Sequence, residues 1–313
     1  MILVTGPNGN VGTELTLLLT RQTALNYRIA SRHPEALGRQ FGSNVPAIKF
    51  DFLDHSTWNR ALADVQSLFL LFPLPHPRIA KQHMVPFVFA AARAGVKHIV
   101  YLSVPGADKY SVIPHFHTEK AVKESGVDYT IIQAAYFAQN LTRDIATHWV
   151  DIAKYDEIYI PAKNGKHSFI DARDVGEAAL NVIAKPERHR NRTYLITGPE
   201  SLTFGEVAQI MTEELGRPIR YANPSLPAFW WRMHRRGVTG DVLFFMCVTY
   251  LLGRYGKNAP MTDELRSLLT RPAFTMRDFV RSFCDKWAPL AKDAPLAADL
   301  GRGPGWAGPK AGT

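Results

Sequence analysis

The stretch Ile2-Leu3-Val4-Thr5-Gly6-Pro7-Asn8-Gly9-Asn10-Val11-Gly12 decides how the rest of the chain is read. Its apolar start predicts a buried strand over Ile2–Thr5, and the leucine spacing that follows predicts a helix over residues 11–20. Between them stand glycines at a spacing of three, Gly6, Gly9 and Gly12. In such a turn the first glycine permits the tight bend and the second lets backbone N–H groups approach a pyrophosphate. The third lets helix pack on strand. The helix start then faces the anion with unsatisfied donors and the positive end of its dipole. Glycine spacing alone also occurs in ordinary turns. The strand before and helix after make this a dinucleotide-binding loop, with Thr5, Gly6, Asn8, Gly9, Asn10, Val11 and Gly12 as its candidate contacts.

Outward from the loop, strand-like runs at 28–31, 47–50, 67–72, 98–104 and 129–133 alternate with helical ones, the clearest at 80–94 and 119–125. Strands separated by helices pair in parallel through right-handed crossovers, so the expected fold class is α/β, a Rossmann-type doubly wound parallel sheet. After residue 140 the rhythm loosens. Strands are expected at 168–170 and 193–196, around a helix at 175–184. From Thr203 the chain reads as mainly helical, over 204–215, 226–236, 241–252, 262–269 and 276–287. The expected organisation is an NAD(P)-binding domain over 1–150 and a smaller, mainly helical substrate lobe over 151–289. That lobe should be partly continuous with the sheet and lie over its carboxyl edge. Residues 290–313, rich in Gly, Pro and Ala, read as a mobile tail.

Composition narrows the class. With 313 residues, 46% hydrophobic and 21% charged, the chain is ordinary for a globular protein. Lys and Arg exceed Asp and Glu by nine (37 against 28), which favours anionic partners, a phosphorylated cofactor among them. The basic residues are scattered, densest at 185–192 and 232–236, and read as a solvated surface. No helix-turn-helix or zinc module accompanies them, which argues against nucleic acid. Cys247 and Cys284 give no disulfide framework and read as packing groups. The longest apolar run, 242–252, falls short of the ~20 residues of a membrane helix. Strand-like sequence begins at Ile2 without a basic leader, so a cytoplasmic enzyme is expected. The 11 histidines lack metal-ligand spacing, and no metal is expected. Monomer and homodimer both stay open.

Three strand ends refine the cofactor. The second runs into Ala30-Ser31-Arg32-His33, with no acid until Glu35. An acid here would hold the ribose 2′-hydroxyl of NAD, whereas an arginine suits the 2′-phosphate, so NADP(H) is preferred over NAD(H). The third ends in Asp51-Phe52, a carboxylate for the adenine amino group and a ring to cover it; an Asp ending a strand is also a common turn former. The fourth ends in Leu71-Phe72-Pro73, where backbone should pass the nicotinamide-side ribose.

With these features, the segments His115-x-x-Thr118-Glu119-Lys120, Tyr129 to Gln133, Tyr136-Phe137-Ala138-Gln139-Asn140 and Ile170-Asp171-Ala172-Arg173-Asp174-Val175 resemble the atypical short-chain dehydrogenase/reductase superfamily. Within it, the chain resembles the NmrA-like group over residues 1 to about 288, including Thr262-Asp263-Glu264 and Arg271-Pro272. The resemblance implies the fold and the nicotinamide cofactor. It leaves the substrate open, because the group holds quinone, triphenylmethane-dye and isoflavone reductases as well as redox-sensing regulators. A fold does not determine a function.

Conventional members of the superfamily use a Ser, a Tyr and a Lys in Tyr-x-x-x-Lys, the Lys lowering the tyrosine pKa for proton donation. Here Lys120 keeps the lysine position and Ser103 the serine position, but the tyrosine position is Phe116, which has no proton to give. The resemblance assigns Lys120 to the nicotinamide ribose hydroxyls ahead of the role of catalytic acid; a solvated lysine is the other reading. Nearby substitutes are His115, His117 and Glu119. On a helix His115 and Glu119 share one face, as do Phe116 and Lys120. A histidine near the nicotinamide donates a proton or orients a ring-shaped acceptor; each also reads as a surface or helix-start residue. Tyr136, a further candidate acid, Phe137 and Asn140 follow the sixth strand, where Asn140 contacts cofactor or substrate or caps a helix. His167 reads as a loop residue and Asp174 as a helix cap. Trp230 and Phe244 belong to an aromatic-rich stretch (Phe229, Trp231, Phe245) that suits either an apolar substrate pocket or a helical core.

The expected function is therefore an NADPH-dependent reductase passing hydride to an apolar unsaturated small molecule, a quinone, imine or conjugated ring. An NADP(H)-sensing regulatory protein without turnover, and a non-redox isomerase or cyclase, are the alternatives.

Overall fold

The computed structural model describes residues 1–22, 24–73, 77–143 and 147–290. The expected tail, from residue 291 on, lies outside the described residues. All of β1 (Ile2–Thr5) is buried. The following strands are β2 (Tyr27–Ser31), β3 (Ala47–Lys49), β4 (Ser67–Leu71), β5 (His98–Ser103) and β6 (Asp128–Ala134). With the later strand Arg192–Ile196 they form a seven-stranded sheet, ordered Arg192–Ile196, β6, β5, β4, β1, β2, β3. Every neighbouring pair is parallel. Strand order reverses between β1 and β4, the switch point at which such sheets bind ligands beyond their carboxyl ends.

Alternation along the strands sends Leu3, Leu68, Leu70, Tyr101 and Ile131 to one core, packed with Met84, Phe87, Trp58 and Val122. Helical sequence there starts at Pro77, passes through wider turns over Ala80–Met84 and continues as Val85–Arg93. Pro86 has no N–H to give to the preceding turn, and the wide turns lie directly before it. The helix expected at 119–125 begins earlier, at His115, behind Pro114. The helix α1 (Asn10–Thr20) meets the helix Ala172–Ala184 closely, for a Cβ on Gly176 would stand 2.7 Å from Glu14 Cβ. Arg271 pairs with the buried Asp174 in the first turn of that helix, at 2.7 Å.

The chain forms two compact units whose bounds differ from the expected cut at 150. The first holds Met1–Ala135, Ala172–Ile196 and Thr262–Pro272. The chain must return to it because Arg192–Ile196 supplies the strand beside β6. The second holds Tyr136–Asp171, Thr197–Met261 and the chain from Ala273. It contains the three-stranded sheet Glu200–Leu202, His167–Ile170, Tyr136–Phe137 and the pair Arg220–Ala222 with Glu157–Tyr159. Its helices include His148–Tyr155, Phe204–Leu215, Leu226–Arg235, Gly240–Arg254 and Met276–Ser282 around Phe204, Phe229, Tyr250, Phe279 and Trp287. Helix His148–Tyr155 escaped the sequence pattern because it buries polar residues. Asp151 is fully enclosed and bound by Arg232 at 2.9 Å and Arg236 at 2.6 Å. The basic run 232–236 is thus partly an internal counter-charge, not wholly the solvated surface expected of it. Among the described residues no helix is long and apolar enough to cross a membrane.

Candidate functional site

The glycine loop is shaped by its backbone. Gly6 adopts φ +64°, and a Cβ there would meet Leu71 Cδ2 at 2.7 Å. A Cβ on Gly12 would lie 2.0 Å from the Gly6 carbonyl oxygen, so only glycine lets α1 come this close to the end of β1. The Gly9 N–H donates to Gly6 O at 2.9 Å. Gly9 then precedes α1 with no side-chain cap and no acid in the first turn. An uncapped helix start beside a buried turn, at the switch point of a parallel sheet, suits an anionic group. Thr5, a predicted contact, is used inside the sheet: its Oγ1 donates to Phe69 O at 3.0 Å and accepts from Leu71 N–H at 2.9 Å. Val11 and Gly12 are buried, while Asn8 is exposed and Gly9 and Asn10 half-exposed.

Arg32 follows β2 half-exposed, and its guanidinium forms no ion pair with a described residue. Glu35 is turned to His33, at 3.5 Å. The Asp51 carboxylate accepts from Leu53 N–H at 2.9 Å, the turn-forming use of an Asp. Phe52 is 7% exposed, its ring 4.7 Å from Phe50 and 5.2 Å from Phe87. The structure thus packs into the core a side chain read as a cover for adenine. Pro73 is exposed, and the buried Phe72 ring lies 4.7 Å from that of His115.

The helix His115–Glu124 separates the catalytic candidates by face. His115, Thr118, Glu119 and Val122 turn inward. Ser103 Oγ donates to Glu119 Oε1 at 2.6 Å, and Gln133 Nε2 donates to the same oxygen at 3.0 Å. His115 Nδ1 and the Tyr101 hydroxyl share a 2.8 Å hydrogen bond. Burial pushes the His115 pKa down to about 3 and that of Tyr101 well above its usual value. The phenol therefore keeps its proton and the imidazole stays neutral. Lys120 lies on the outward face, 61% exposed, with Glu124 at 3.8 Å. It lines a surface cavity of about 290 Å³ with Lys81, Val85, Phe89, His117 and Glu124. Partial burial, then Lys81 and Lys120, lower the His117 pKa. His117 and Lys120 thus stand together, apart from His115 and Ser103.

The second unit holds the remaining candidates. The Tyr136 hydroxyl shares a 3.1 Å hydrogen bond with Tyr250, whose hydroxyl lies 2.6 Å from His148 Nε2. Burial raises the Tyr136 pKa to about 12, with hydrogen bonds to Tyr250 and Asn140 opposing the rise. Phe137, beside it, is half-exposed. His167, expected in a loop, begins a buried strand. Its ring packs on Gly253, where a Cβ would stand 2.3 Å away, and burial lowers its pKa to about 4. Phe229 is fully buried, whereas Trp230 is 39% and Phe244 66% exposed. Helical periodicity sends the first into the core and the other two outward, away from the Tyr136 cluster. Tyr101, Gln133, Tyr250 and His148 were not anticipated. Tyr101 had only one signal, a hydroxyl in an otherwise apolar strand.

The doubly wound sheet with a glycine-bounded turn at its switch point defines a Rossmann-type dinucleotide-binding protein. Comparison with known proteins narrows this class. The model of the NmrA-like family matches residues 1–229, and the chain belongs to that family. It is 30% identical to an NAD(P)H azoreductase of Xenophilus azovorans over 90% of this chain and 97% of that one. It is 27% identical to an agroclavine dehydrogenase of Claviceps fusiformis, over 91% and 98% of the two chains. Among solved structures, it resembles an NADPH-dependent quinone oxidoreductase from Escherichia coli complexed with NADPH, with a TM-score of 0.77 at 24% identity, covering 91% of this chain and all of that one.

Proposed function

We propose that this protein is an NADPH-dependent reductase that delivers hydride to an apolar unsaturated small molecule, such as a quinone, an imine or a conjugated ring. The observation that carries the reading is the Gly6–Gly12 turn at the sheet's switch point, whose three glycines bring backbone close and whose N-cap Gly9 puts no side-chain cap before α1, an arrangement suited to a pyrophosphate. The azoreductase and the dehydrogenase support a redox role. When bound, the reduced nicotinamide supplies the hydride. Preference for the phosphorylated cofactor rests on Arg32, whose guanidinium pairs with no acid among the described residues, while Glu35 lies beside His33. Arg32→Ala is expected to weaken NADPH binding at least about tenfold and leave NADH nearly unchanged, since a charge-assisted hydrogen bond contributes ~1.5–3 kcal/mol. Titration of both cofactors against both proteins checks it; equal losses would overturn the preference.

On the chain's side, His115 is the polarising donor. In this role the Tyr101 hydroxyl donates to Nδ1, Phe72 flanks the ring, and the neutral imidazole carries its proton on Nε2 for the oxygen or nitrogen that gains charge. A neutral imidazole polarises without having to titrate. Ser103, engaged by Glu119, and Phe116, without a hydroxyl, do not compete for that role.

A sensing protein without turnover is favoured by one observation. Of the three customary catalytic positions, one is Phe116, one is a serine bonded to a carboxylate, and one is a lysine facing outward. Oxidation of NADPH by a panel of quinones and azo compounds separates the two readings, because a pure sensor gives none.

A further inference from the structure

The helix Gly240–Arg254 is apolar on both sides. Leu243, Met246, Tyr250 and Gly253 are buried, as a core-facing stripe requires. The opposite side exposes Phe244, Phe245, Val248, Leu251 and Leu252, with Tyr255 just beyond at 74% exposed. From Asp241 onward these positions advance in steps of three and four (241, 244/245, 248, 251/252, 255), the spacing of a helix-pairing seam.

The seam is also symmetric about Val248. Phe245 and Leu251 lie three residues to either side of it, Phe244 and Leu252 four, and Asp241 and Tyr255 seven. Its first turn carries the exposed Asp241, whereas Arg254 in the last turn lies off the seam, half-buried, its Nε donating to Pro161 O at 2.7 Å. A segment related to itself by reversal is what an antiparallel pair with a two-fold axis needs, because each residue then meets its mirror position.

We propose that this face docks a second copy of the chain as an antiparallel helix pair centred on Val248. Phe244 then packs on Leu252 of the second copy and Phe245 on its Leu251, while Asp241 comes beside the opposite Tyr255. Taking about 150–250 Å² for a whole aromatic side chain, the exposed face amounts to ~600 Å² per copy, near the ~800 Å² that a stable interface buries on each partner. Such a patch reaches the upper end of what monomers leave uncovered. An anionic lipid surface fits less well, since Asp241 stands at one end of the face and would meet like charge. Paired with its own copy, each acid meets a tyrosine hydroxyl that can donate to it.

Sedimentation of the whole chain over a concentration series tests the pairing. A reversible dimer is expected, and Val248→Glu, which sets two carboxylates together at the axis, should weaken it at least about tenfold. NADPH binding by the variant, equal to wild type, shows that it is folded. Register is tested in a Cys247→Ala, Cys284→Ala background with a short bis-maleimide. Val248→Cys should cross-link to a dimer, whereas Gln209→Cys, exposed on another helix, should not. A chain that stays monomeric, a dimer indifferent to Val248→Glu, or equal cross-linking from both positions would overturn the proposal. So would a monomer that sediments with anionic vesicles through the same residues.

Discussion

Each unit buries a neutral histidine against a tyrosine, and the two pairs differ in what surrounds them. In the first unit the Tyr101–His115 pair lies beside Phe72, at the carboxyl end of β4 and next to the strand end Ser103, which bonds Glu119. In the second the Tyr250–His148 pair is enclosed by Phe229 and Phe204, and His148 Nδ1 is buried without a hydrogen-bond partner among the described residues. Burial lowers both histidine pKa values to about 3. Perturbed titration alone therefore does not mark a reacting group; position at the ligand-binding edge of the sheet does.

The comparison breaks most readily at the glycines. Gly12→Ala drives a Cβ into the Gly6 carbonyl, so a loss of several kcal/mol and of NADPH binding is expected. Gly253→Ala, whose Cβ would strike the His167 ring, should cost similar stability, yet the folded fraction should keep its cofactor affinity. Thermal unfolding with and without NADPH distinguishes them; equal loss of affinity would erase the difference drawn between the units. Next in size, His115→Phe should lower kcat about 10²-fold, the scale of a lost hydrogen-bond donor to developing charge. His148→Phe should change kcat less than about threefold. Reversal of that order would move the chemistry to the second unit.

Acid sharpens the comparison further. His115 and His148 near 3, and His98 and His167 near 4, all sit below the ordinary histidine value of 6.5. Between those values the unfolded chain binds the protons that the folded one refuses. The stability these groups contribute is whole above pH 6.5 and is lost as pH falls, at about 1.4 kcal/mol per pH unit for each group. Denaturant unfolding from pH 7 to pH 4.5 should show this slope, reduced in His148→Phe. Over the same range kcat should lack an inflection assignable to His115; one near pH 6.5, abolished by His115→Phe, would show the imidazole to be charged in use. Smallest of all, Trp230→Ala and Phe244→Ala should leave kcat/KM within about twofold, because both side chains face outward. A larger drop measured in steady-state assays would restore them to the substrate site.

Much of this was legible in the chain itself. Strand, glycine spacing and helix are neighbours in sequence, so the turn at Gly6–Gly12 and the parallel sheet could be read without coordinates. The four-residue spacing likewise paired His115 with Glu119 and Phe116 with Lys120. Local periodicity says which residues share a face, but not which face meets the core. That choice belongs to β5, whose Tyr101 and Ser103 hydroxyls draw His115 and Glu119 inward and leave Lys120 in solvent. The same limit applied to the aromatic stretch. Composition announced Phe229, Trp230 and Phe244 together, and only packing around Tyr250 separated the buried ring from the exposed ones. Sequence determined the turn that can hold a dinucleotide, because that turn is built from adjacent residues. Tertiary structure decided which side chains stand ready to use it, because their partners come from strands far away in the chain.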